Sequence, residues 1–497
     1  MRTVMQAFGE SCTRTVSVLP KLKLKPEVRQ YLSNAFQNKE LLAEVGELEA
    51  DKKFEELLTY LSHPPGFTCV RASTHLESLE TIRDQLVDEL QKQVAWSSGR
   101  GPVPIFTHPQ VPDVLLIPVT GPLSVCPQRS EVIVGAQCGN SVLRGANVFA
   151  PGVLSAPKYM KAGDSVAVCS DVEGRCTRGA TEFQGRKVFL GNGIAVMSRA
   201  AIFQADEPVR GVAVRVQEPV YHSPSFDGLL PRLVFLQNLP SVVVSHVLGP
   251  QPGERILDMC AAPGGKTSHI AALMGDQGEV IALDKIASKV ERIRQNASTL
   301  ELDCITAYCF NSIRAVCADQ AQVPGNGGTP SHDVTPLASR APGGPPFPPE
   351  SFDRVLLDAP CSGLGQRPNM ACPLSLREVT SYQPLQRKLF HAAVRLLRRS
   401  GTLVYSTCTV TLAENEEQVA WALSTFPDLT LQLQIPHIGG EGMPGAGLSN
   451  DQRRLVQRFS PCHEPSDSGL AGRDQSSILR QANADTIGFF IAKFQKT

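Results

Sequence analysis

Two short segments carry cysteines in settings where a thiol could act as a nucleophile. One is Asp358-Ala-Pro-Cys-Ser-Gly363 and the other is Ser406-Thr-Cys-Thr409, and each follows an apolar run that predicts a buried strand. Ligands of open α/β sheets lie beyond the carboxyl ends of the strands, so Cys361 and Cys408 are expected to face one crevice. A lone cysteine is more often a small buried apolar residue, but a pair at two strand ends favours covalent chemistry.

A third segment, Asp258-Met-Cys-Ala-Ala-Pro-Gly-Gly-Lys-Thr267, has the features of a cofactor-binding turn. An apolar strand leads into small residues and then into a helix, and both the glycine backbone and the free helical amides can approach a ligand closely. The next predicted strand ends in Asp284, which is placed to accept ribose hydroxyls. A P-loop is the rival interpretation because Gly-Lys-Thr is present, but that motif requires glycine where Cys260 stands. A buried turn without a ligand is the other alternative, and Asp284 argues against it.

The elements that must position these segments alternate between strand and helix in the C-terminal half. The strand candidates are residues 255–259, 279–284, 352–358, 402–406 and 488–494. Helical segments separate the first four, which is typical of a parallel α/β sheet. Residues 318–350 are rich in proline and glycine and lack apolar periodicity, which predicts a flexible insertion.

The N-terminal half has a different pattern of apolar residues. Residues 25–61 repeat apolar side chains at helical spacing, a short strand follows at 67–71, and a second amphipathic helix runs through Leu90. From Val114 to Val216 the apolar runs are short and rich in valine and glycine, which predicts a small β-rich module. We therefore divide the chain into a disordered extension (1–20), a helical and αβ segment (21–112), a β-rich domain (113–217) and a catalytic domain (218–497).

Composition excludes several classes of protein. The 48 basic and 48 acidic residues give a net charge of +0, so any nucleic-acid surface must be a local patch. The 14 cysteines form no C-x-x-C pair, which argues against a zinc ribbon and a thioredoxin-like site, and we expect no metal. No apolar run reaches the roughly 18 to 20 residues that cross a membrane. We expect a cytoplasmic monomer.

The motifs resemble those of the Sun-type RNA cytosine-5 methyltransferases, and within them the member with an inserted PUA domain that methylates transfer RNA. The resemblance runs from about Leu24 to the C-terminus and includes Cys-Ala-Ala-Pro-Gly-Gly-Lys, Asp-Ala-Pro-Cys-Ser-Gly and Ser-Thr-Cys-Thr. The β-rich module falls where that member has its PUA domain. The resemblance implies an α/β fold, with a Rossmann-like methyltransferase domain, an inserted β-rich PUA domain and an N-terminal helical and αβ segment. It also implies S-adenosylmethionine as cofactor and the acceptor stem and CCA end of transfer RNA as partner, with messenger RNA as a further candidate.

The resemblance also assigns roles to residues. Cys408 would add to C6 of a flipped or unpaired cytosine, and Cys361 would assist release of the product. Asp358 would hold the N3/N4 edge of the base, while Lys266 would orient it and favour the thiolate. The expected cofactor-binding residues are Cys260, Ala261, Ala262, Pro263, Gly264, Gly265, Lys266, Asp284, Asn311 and Asp358. In DNA cytosine methyltransferases the nucleophile is the cysteine after proline, here Cys361, but the presence of both cysteines follows the RNA family and favours Cys408.

The sequence departs from the family pattern at Asn311, where the family usually has an aspartate that reads the adenine amine. An asparagine accepts a hydrogen bond without charge, which predicts weaker cofactor binding. Basic residues of the PUA-like segment are candidates for a phosphate-contacting face, although ordinary solvated charges explain each of them equally well. These residues are Arg144, Lys158, Lys161, Arg175 and Arg178.

Two rival functions come from other classes. A non-catalytic RNA-binding protein that uses the PUA-like segment alone is supported only by Asn311. A methyltransferase acting on protein or on a small molecule would use the same sheet. Acceptor atoms of that kind attack the methyl group directly, however, and have no need for paired cysteines.

Overall fold

The computed structural model describes residues 19–93, 103–204, 209–317, 344–461 and 474–497. The predicted extension, apart from its last two residues, and the predicted insertion up to residue 343 lie outside these ranges. The described helices are α1 Pro26–Phe36, α2 Lys39–Val45, α3 Glu47–Ser62, α4 Leu79–Gln91, α5 Ala136–Leu143, α6 Arg199–Phe203, α7 Leu239–Leu248, α8 Gly265–Leu273, α9 Ala287–Thr299, α10 Leu376–Leu396, α11 Glu416–Thr425, α12 Asn450–Leu455 and α13 Gln475–Ala484. Among the described residues, no helix is both long and apolar enough to span a bilayer.

The described strands form three sheets. Their bounds are β1 Phe67–Ala72, β2 Phe106–His108, β3 Val111–Pro118, β4 Glu131–Gly135, β5 Val148–Phe149, β6 Val153–Ser155, β7 Ser165–Asp171, β8 Lys187–Ala195, β9 Val212–Pro219, β10 Val234–Leu236, β11 Arg255–Asp258, β12 Glu279–Asp284, β13 Ile305–Cys309, β14 Phe352–Asp358, β15 Leu397–Thr407, β16 Leu429–Leu431, β17 Gln457–Phe459 and β18 Phe489–Lys496.

Three helices replace the single helical run that the N-terminal periodicity predicts. A proline at the first position begins α1, and the side chain of Asn38 caps α2 by accepting a hydrogen bond from the amide of Leu41 at 2.9 Å. Gly46, with φ +80°, separates α2 from α3 because that backbone conformation favours glycine. The apolar faces of α1 and α3 pack against Leu364 and Val410, which lie close in sequence to the two cysteines. The N-terminal helices therefore pack against the loops that carry the thiols.

The first sheet has the order β10-β1-β3-β2 and is antiparallel. The sequence places residues from 113 onward in the β-rich module, but β3 pairs with β1, with Phe67 opposite Pro118. The reason is that β3 is buried on both faces, so its residue pattern does not reveal which sheet it joins. Strand β10 likewise returns to this sheet from beyond residue 217.

The second sheet confirms the predicted β-rich module and has the order β5-β9-β8-β7-β4-β6. Valines alternate along β4, β7 and β9 and meet in one core, which α5 also contacts. Most of its neighbouring strands are antiparallel, and β4 and β7 are parallel.

The third sheet positions the candidate site. Its order is β13-β12-β11-β14-β15-β18-β16, with β17 also paired to β18. The strands from β13 to β15 are parallel and β18 is antiparallel, and apolar clusters cover both faces. The predicted parallel α/β fold is therefore confirmed. Because strand order reverses between β11 and β14, the crevice beyond their carboxyl ends is where such sheets bind ligands.

Candidate active site

The carboxyl ends of four neighbouring parallel strands bring the predicted site residues to one edge of the sheet. Asp258 ends β11, Asp284 ends β12 and Asp358 ends β14, while Cys408 follows β15 directly. The register pairs Asp358 with Ser406, so the loops carrying Cys361 and Cys408 leave the sheet side by side. Strand ends and pairing alone thus assemble carboxylates and thiols in one crevice.

The turn between β11 and α8 is built from backbone contacts. The amide of Ala261 donates to the carbonyl of Leu283 at 3.0 Å, and the amide of Gly264 donates to the carbonyl of Ala261 at 2.7 Å. Gly264 has φ +101°, and a Cβ there would meet Cα of Ile293 at 3.2 Å, so both conformation and space favour glycine. No side chain caps α8, so its first amides are available to an anionic group of a ligand.

Asp258 lies beneath this turn with only 1% of its surface exposed. Its Oδ2 accepts a hydrogen bond from Thr267 at 2.7 Å, but the buried Oδ1 has no partner among the described residues. Burial raises the pKa of Asp258 to about 7, and the nearby Asp358 carboxylate adds to the rise while Thr267 opposes it. A buried acceptor without a donor fits a ligand that brings its own, such as the ammonium group of S-adenosylmethionine.

Two residues at neighbouring strand ends place polar side-chain atoms at the same edge of the sheet. Oδ1 of Asp284 accepts from the amide of Ile286 at 3.0 Å, while Oδ2 has no partner in the described part of the chain and remains available to ribose hydroxyls. Asn311 is exposed, and its Oδ1 accepts from the amide of Ile313 at 3.2 Å. The side-chain amide of Asn311 is therefore left as a donor at this edge.

The two sulfur atoms of Cys361 and Cys408 lie 3.3 Å apart. The hydrogen bond from the Cys361 thiol lowers the pKa of Cys408 below its usual value against the effect of burial, and a hydrogen bond from Gln366 and the charge of Lys266 act in the same direction. The same contact with Cys408, burial and the charge of Glu414 raise the pKa of Cys361 well above its usual value. Both directions favour Cys361 as the protonated member of the pair and Cys408 as the sulfur that loses its proton more readily.

Asp358 holds two neighbours of the thiol pair. Its Oδ2 accepts from Nζ of Lys266 at 2.7 Å, and its Oδ1 accepts from the hydroxyl of Ser406 at 2.6 Å. Nζ of Lys266 also lies 5.4 Å from the ring centroid of Phe489. The Lys266 side chain is thus fixed over the crevice by a carboxylate and an aromatic face.

Sequence analysis missed the polar residues that hold the cysteine loops. The hydroxyl of Thr407 donates to Oδ1 of Asn415 at 2.5 Å, and Nδ2 of Asn415 donates to the carbonyl of Thr409 at 3.1 Å. Glu414, its neighbour in sequence, is bonded to both loops. The signal was the run of acidic and amide residues that follows Ser406-Thr-Cys-Thr409 within one turn of α11.

The basic residues of the PUA-like segment are all exposed and lie in three loops. Arg144 follows α5, Lys158 and Lys161 lie between β6 and β7, and Arg175 and Arg178 lie between β7 and β8. Arg178 differs from the others because its Nη1 donates to the carbonyls of Pro151 and Val153 at 3.1 and 2.7 Å. Its guanidinium supports the fold of the module as well as facing solvent.

One buried group of described residues has the composition of a metal site. The carboxylate oxygens of Asp113 accept from Nε2 of His246 at 2.7 Å and from Nε2 of His269 at 2.6 Å. Two ligand atoms of one tetrahedral zinc ion lie about 3.3 Å apart. The two observed N–O distances are shorter than this spacing, so these contacts are direct hydrogen bonds. They connect β3 to α7 and α8 and thereby fix the helix that begins at the cofactor turn.

Comparison with known proteins gives concordant matches. The family model described as 16S rRNA methyltransferase RsmB/F matches residues 245–495, and the PUA domain model matches residues 130–220. The human tRNA (cytosine(72)-C(5))-methyltransferase NSUN6 is 58% identical over 486 residues, which cover 97% of this chain and 99% of that protein. The tRNA (cytosine(72)-C(5))-methyltransferase of Pyrococcus horikoshii is 31% identical over 476 residues, which cover 95% of this chain and 96% of the archaeal protein.

Solved structures agree with the sequence relatives. The crystal structure of NSun6 from Pyrococcus horikoshii with SFG, an analogue of S-adenosylmethionine, superimposes with a TM-score of 0.68 at 28% identity. The alignment covers 97% of this chain and 99% of the archaeal chain.

Proposed function

The chain belongs to the RsmB/F family of RNA cytosine-5 methyltransferases and carries a PUA domain, and from this we propose that it methylates C5 of cytosine 72 in transfer RNA through a covalent Cys408–C6 adduct. The observation that carries the mechanism is the 3.3 Å contact between the sulfur atoms of Cys361 and Cys408 in the cofactor crevice. The names of the human and archaeal relatives suggest the position of the base.

The cofactor of the family is S-adenosylmethionine, and the described residues fit it. The amides at the start of α8 would hold its carboxylate, Oδ1 of Asp258 would accept from its ammonium group, and Asp284 would hold its ribose. The loop from Cys260 to Gly265 would lie along it, with Asn311 beside its adenine. When bound, it supplies an electrophilic methyl group.

The chemistry of the chain begins at Cys408. Its thiolate adds to C6 of cytosine and displaces the electrons of the C5–C6 double bond toward C4 and N3, so that C5 becomes nucleophilic. After C5 has gained the methyl group, water accepts its proton, the electrons of that C–H bond re-form the C5–C6 double bond, and the S–C6 pair returns to the sulfur of Cys408. The Cys361 thiol, whose sulfur lies 3.3 Å from that of Cys408 in the free protein, then donates a hydrogen bond to the departing thiolate and so assists release.

Asp358 and Lys266 support the charge changes of the base. The Asp358 carboxylate holds the N3/N4 edge, because a negative group there stabilises the protonated ring that forms when sulfur adds to C6. Lys266 is held against Asp358, and its positive charge favours the Cys408 thiolate. We further propose that exposed basic residues of the PUA domain contact RNA phosphates; these are Arg144, Lys158, Lys161, Arg175 and Arg178.

The proposed substrate is tested with the unaltered protein and labelled S-adenosylmethionine. We expect one methyl group per transfer RNA that has cytosine 72, and at least about 100-fold less with uracil at that position, because uracil presents a different N3/N4 edge to Asp358. Bisulfite sequencing locates the product, and a messenger RNA pool and a protein lysate serve as competing substrates. Label in protein would overturn the proposal, and RNA binding without methyl transfer would favour a binding protein.

Replacing Asn311 by aspartate is expected to tighten cofactor binding about fivefold, or roughly 1 kcal/mol. A charged acceptor forms a stronger hydrogen bond with the adenine amine than an amide oxygen that already accepts from the amide of Ile313. Calorimetric titration with S-adenosylmethionine measures the change. The control is Asn34→Asp on α1, which adds the same charge at an exposed position and should leave the dissociation constant unchanged. Equal affinities for Asn311→Asp and the unaltered protein would contradict the prediction.

A further inference from the structure

Glu414 is a buried carboxylate with no cationic partner among the described residues. Only 1% of its surface is exposed, and every contact of its two oxygens is a hydrogen bond from an uncharged donor. Burying such a charge is costly unless its bonds are well formed, so the position calls for a physical explanation. Neither the cofactor surface nor the base-binding groups described above include it.

The contacts of Glu414 converge on the loop of Cys361. The amide of Ser362 donates to Oε2 at 3.0 Å, and the Ser362 hydroxyl donates to Oε1 at 2.6 Å. Nε2 of Gln386, on α10, donates to Oε2 at 2.9 Å and also to the carbonyl of Pro360 at 3.0 Å. The residues immediately before and after Cys361 are therefore both tied to this carboxylate or to its partner Gln386.

The same carboxylate is linked to the loop of Cys408. The hydroxyl of Ser362 lies 2.7 Å from the hydroxyl of Thr409, the residue after Cys408, and the hydroxyl of Thr411 donates to Oε1 of Glu414 at 2.9 Å. The backbone carbonyl of Glu414 accepts from the phenol of Tyr405, on β15, at 2.7 Å. One acidic side chain thus sets the spacing between the two loops whose sulfur atoms touch.

We infer that Glu414 is a positioning residue that keeps Cys361 in the thiol form and in contact with Cys408. Its uncompensated negative charge lies near Cys361, and a second negative charge on that sulfur is disfavoured. The contact with Cys408, burial and the charge of Glu414 all raise the pKa of Cys361, so Glu414 adds to the preference for a proton on Cys361 over Cys408. The inference deepens the proposed function and rests on it for the RNA step, because the same thiol would assist the departure of Cys408.

The first test needs no RNA. In a Cys408→Ala background the rate of Cys361 alkylation by iodoacetamide is followed against pH by mass spectrometry, with and without Glu414→Gln. We expect the midpoint of the profile to move down by about one pH unit when the carboxylate becomes an amide. The matched control is Glu416→Gln, which removes a buried carboxylate that is paired with Arg458, and should lower the melting temperature without moving the midpoint.

The second test follows release of the product. With S-adenosylmethionine and transfer RNA containing cytosine 72, Glu414→Gln is expected to slow resolution of the protein–RNA adduct about 10- to 100-fold. A denaturing gel should then show the adduct accumulating, as we also expect for Cys361→Ala. Adding Glu414→Gln to Cys361→Ala should cause no further accumulation, because both changes act on the same thiol.

Ser362→Ala separates position from charge and remains informative if Glu414→Gln does not fold. It keeps the carboxylate but removes the hydroxyl that joins the two loops, so the adduct should accumulate while the alkylation midpoint stays unchanged. An unchanged midpoint for Glu414→Gln together with release at the normal rate would overturn the inference, provided that Cys361→Ala traps RNA. If Cys361→Ala traps no RNA, the proposed mechanism fails, whereas a shifted midpoint would still support the role of Glu414.

Discussion

Replacing Cys408 by alanine is expected to reduce methyl transfer by at least about 10⁴-fold and to abolish the covalent adduct with RNA. C5 of cytosine is a poor nucleophile until a thiolate has added to C6, and no other described residue combines a lowered thiol pKa with a place at the cofactor crevice. Cys361→Ala should behave in the opposite way. It leaves the nucleophile in place but removes the thiol that assists release, so the adduct should accumulate.

The measurement is a denaturing gel of protein mixed with S-adenosylmethionine and transfer RNA, read for both label transfer and a band of slower mobility. Cys304→Ala is the control, because Cys304 precedes β13 at the opposite end of the sheet and its loss should affect neither readout. An adduct that appears with Cys408→Ala and disappears with Cys361→Ala would reverse the roles of the two cysteines. Covalent chemistry would be excluded if methyl transfer survived both changes.

The sequence was sufficient for the fold class because its signals are local. The bounds of β12 and β14 coincide with the predicted 279–284 and 352–358, since apolar runs that end in an aspartate mark a buried strand and its exit. The convergence of Asp258, Asp284 and Asp358 also followed, because parallel strands must end at one edge of the sheet. These conclusions needed only the order of strands and helices.

Features that depend on contacts distant in sequence could not be predicted. The pairing of β3 with β1 is one example. Because β3 is buried on both faces, nothing in its local sequence decides which sheet it joins. The role of Glu414 depends on Ser362, which lies 52 residues away, and on Gln386, which lies 28 residues away. An acidic residue just before a helix is ordinarily explained by the helix dipole, so the sequence gives no reason to look further.

The second large effect is expected for Asp358→Asn, which should slow methyl transfer about 10²- to 10³-fold in a single turnover. The amide has the shape of the carboxylate but lacks its charge, so the ring that becomes protonated when Cys408 adds to C6 loses its electrostatic partner. Lys266 loses its counter-charge at the same time, since Nζ donates to Oδ2 of Asp358 at 2.7 Å in the free protein. Rapid-quench measurement with saturating RNA and S-adenosylmethionine reports the chemical step separately from binding.

The proper comparison for Asp358→Asn is Asp353→Asn, because both aspartates lie on β14 but at opposite ends. Asp353 accepts from the amide of Arg255 at 2.6 Å and pairs with Arg398, far from the crevice, so its loss should lower the melting temperature and leave the single-turnover rate unchanged. A rate lost equally in both variants would mean that the sheet, and not the charge at its carboxyl end, was damaged. Asp358→Asn could instead weaken RNA binding and leave the single-turnover rate normal. That result would show that the carboxylate holds the base before reaction but does not stabilise its protonated form. Only groups that bind the transition state more strongly than the substrate alter the rate of the chemical step.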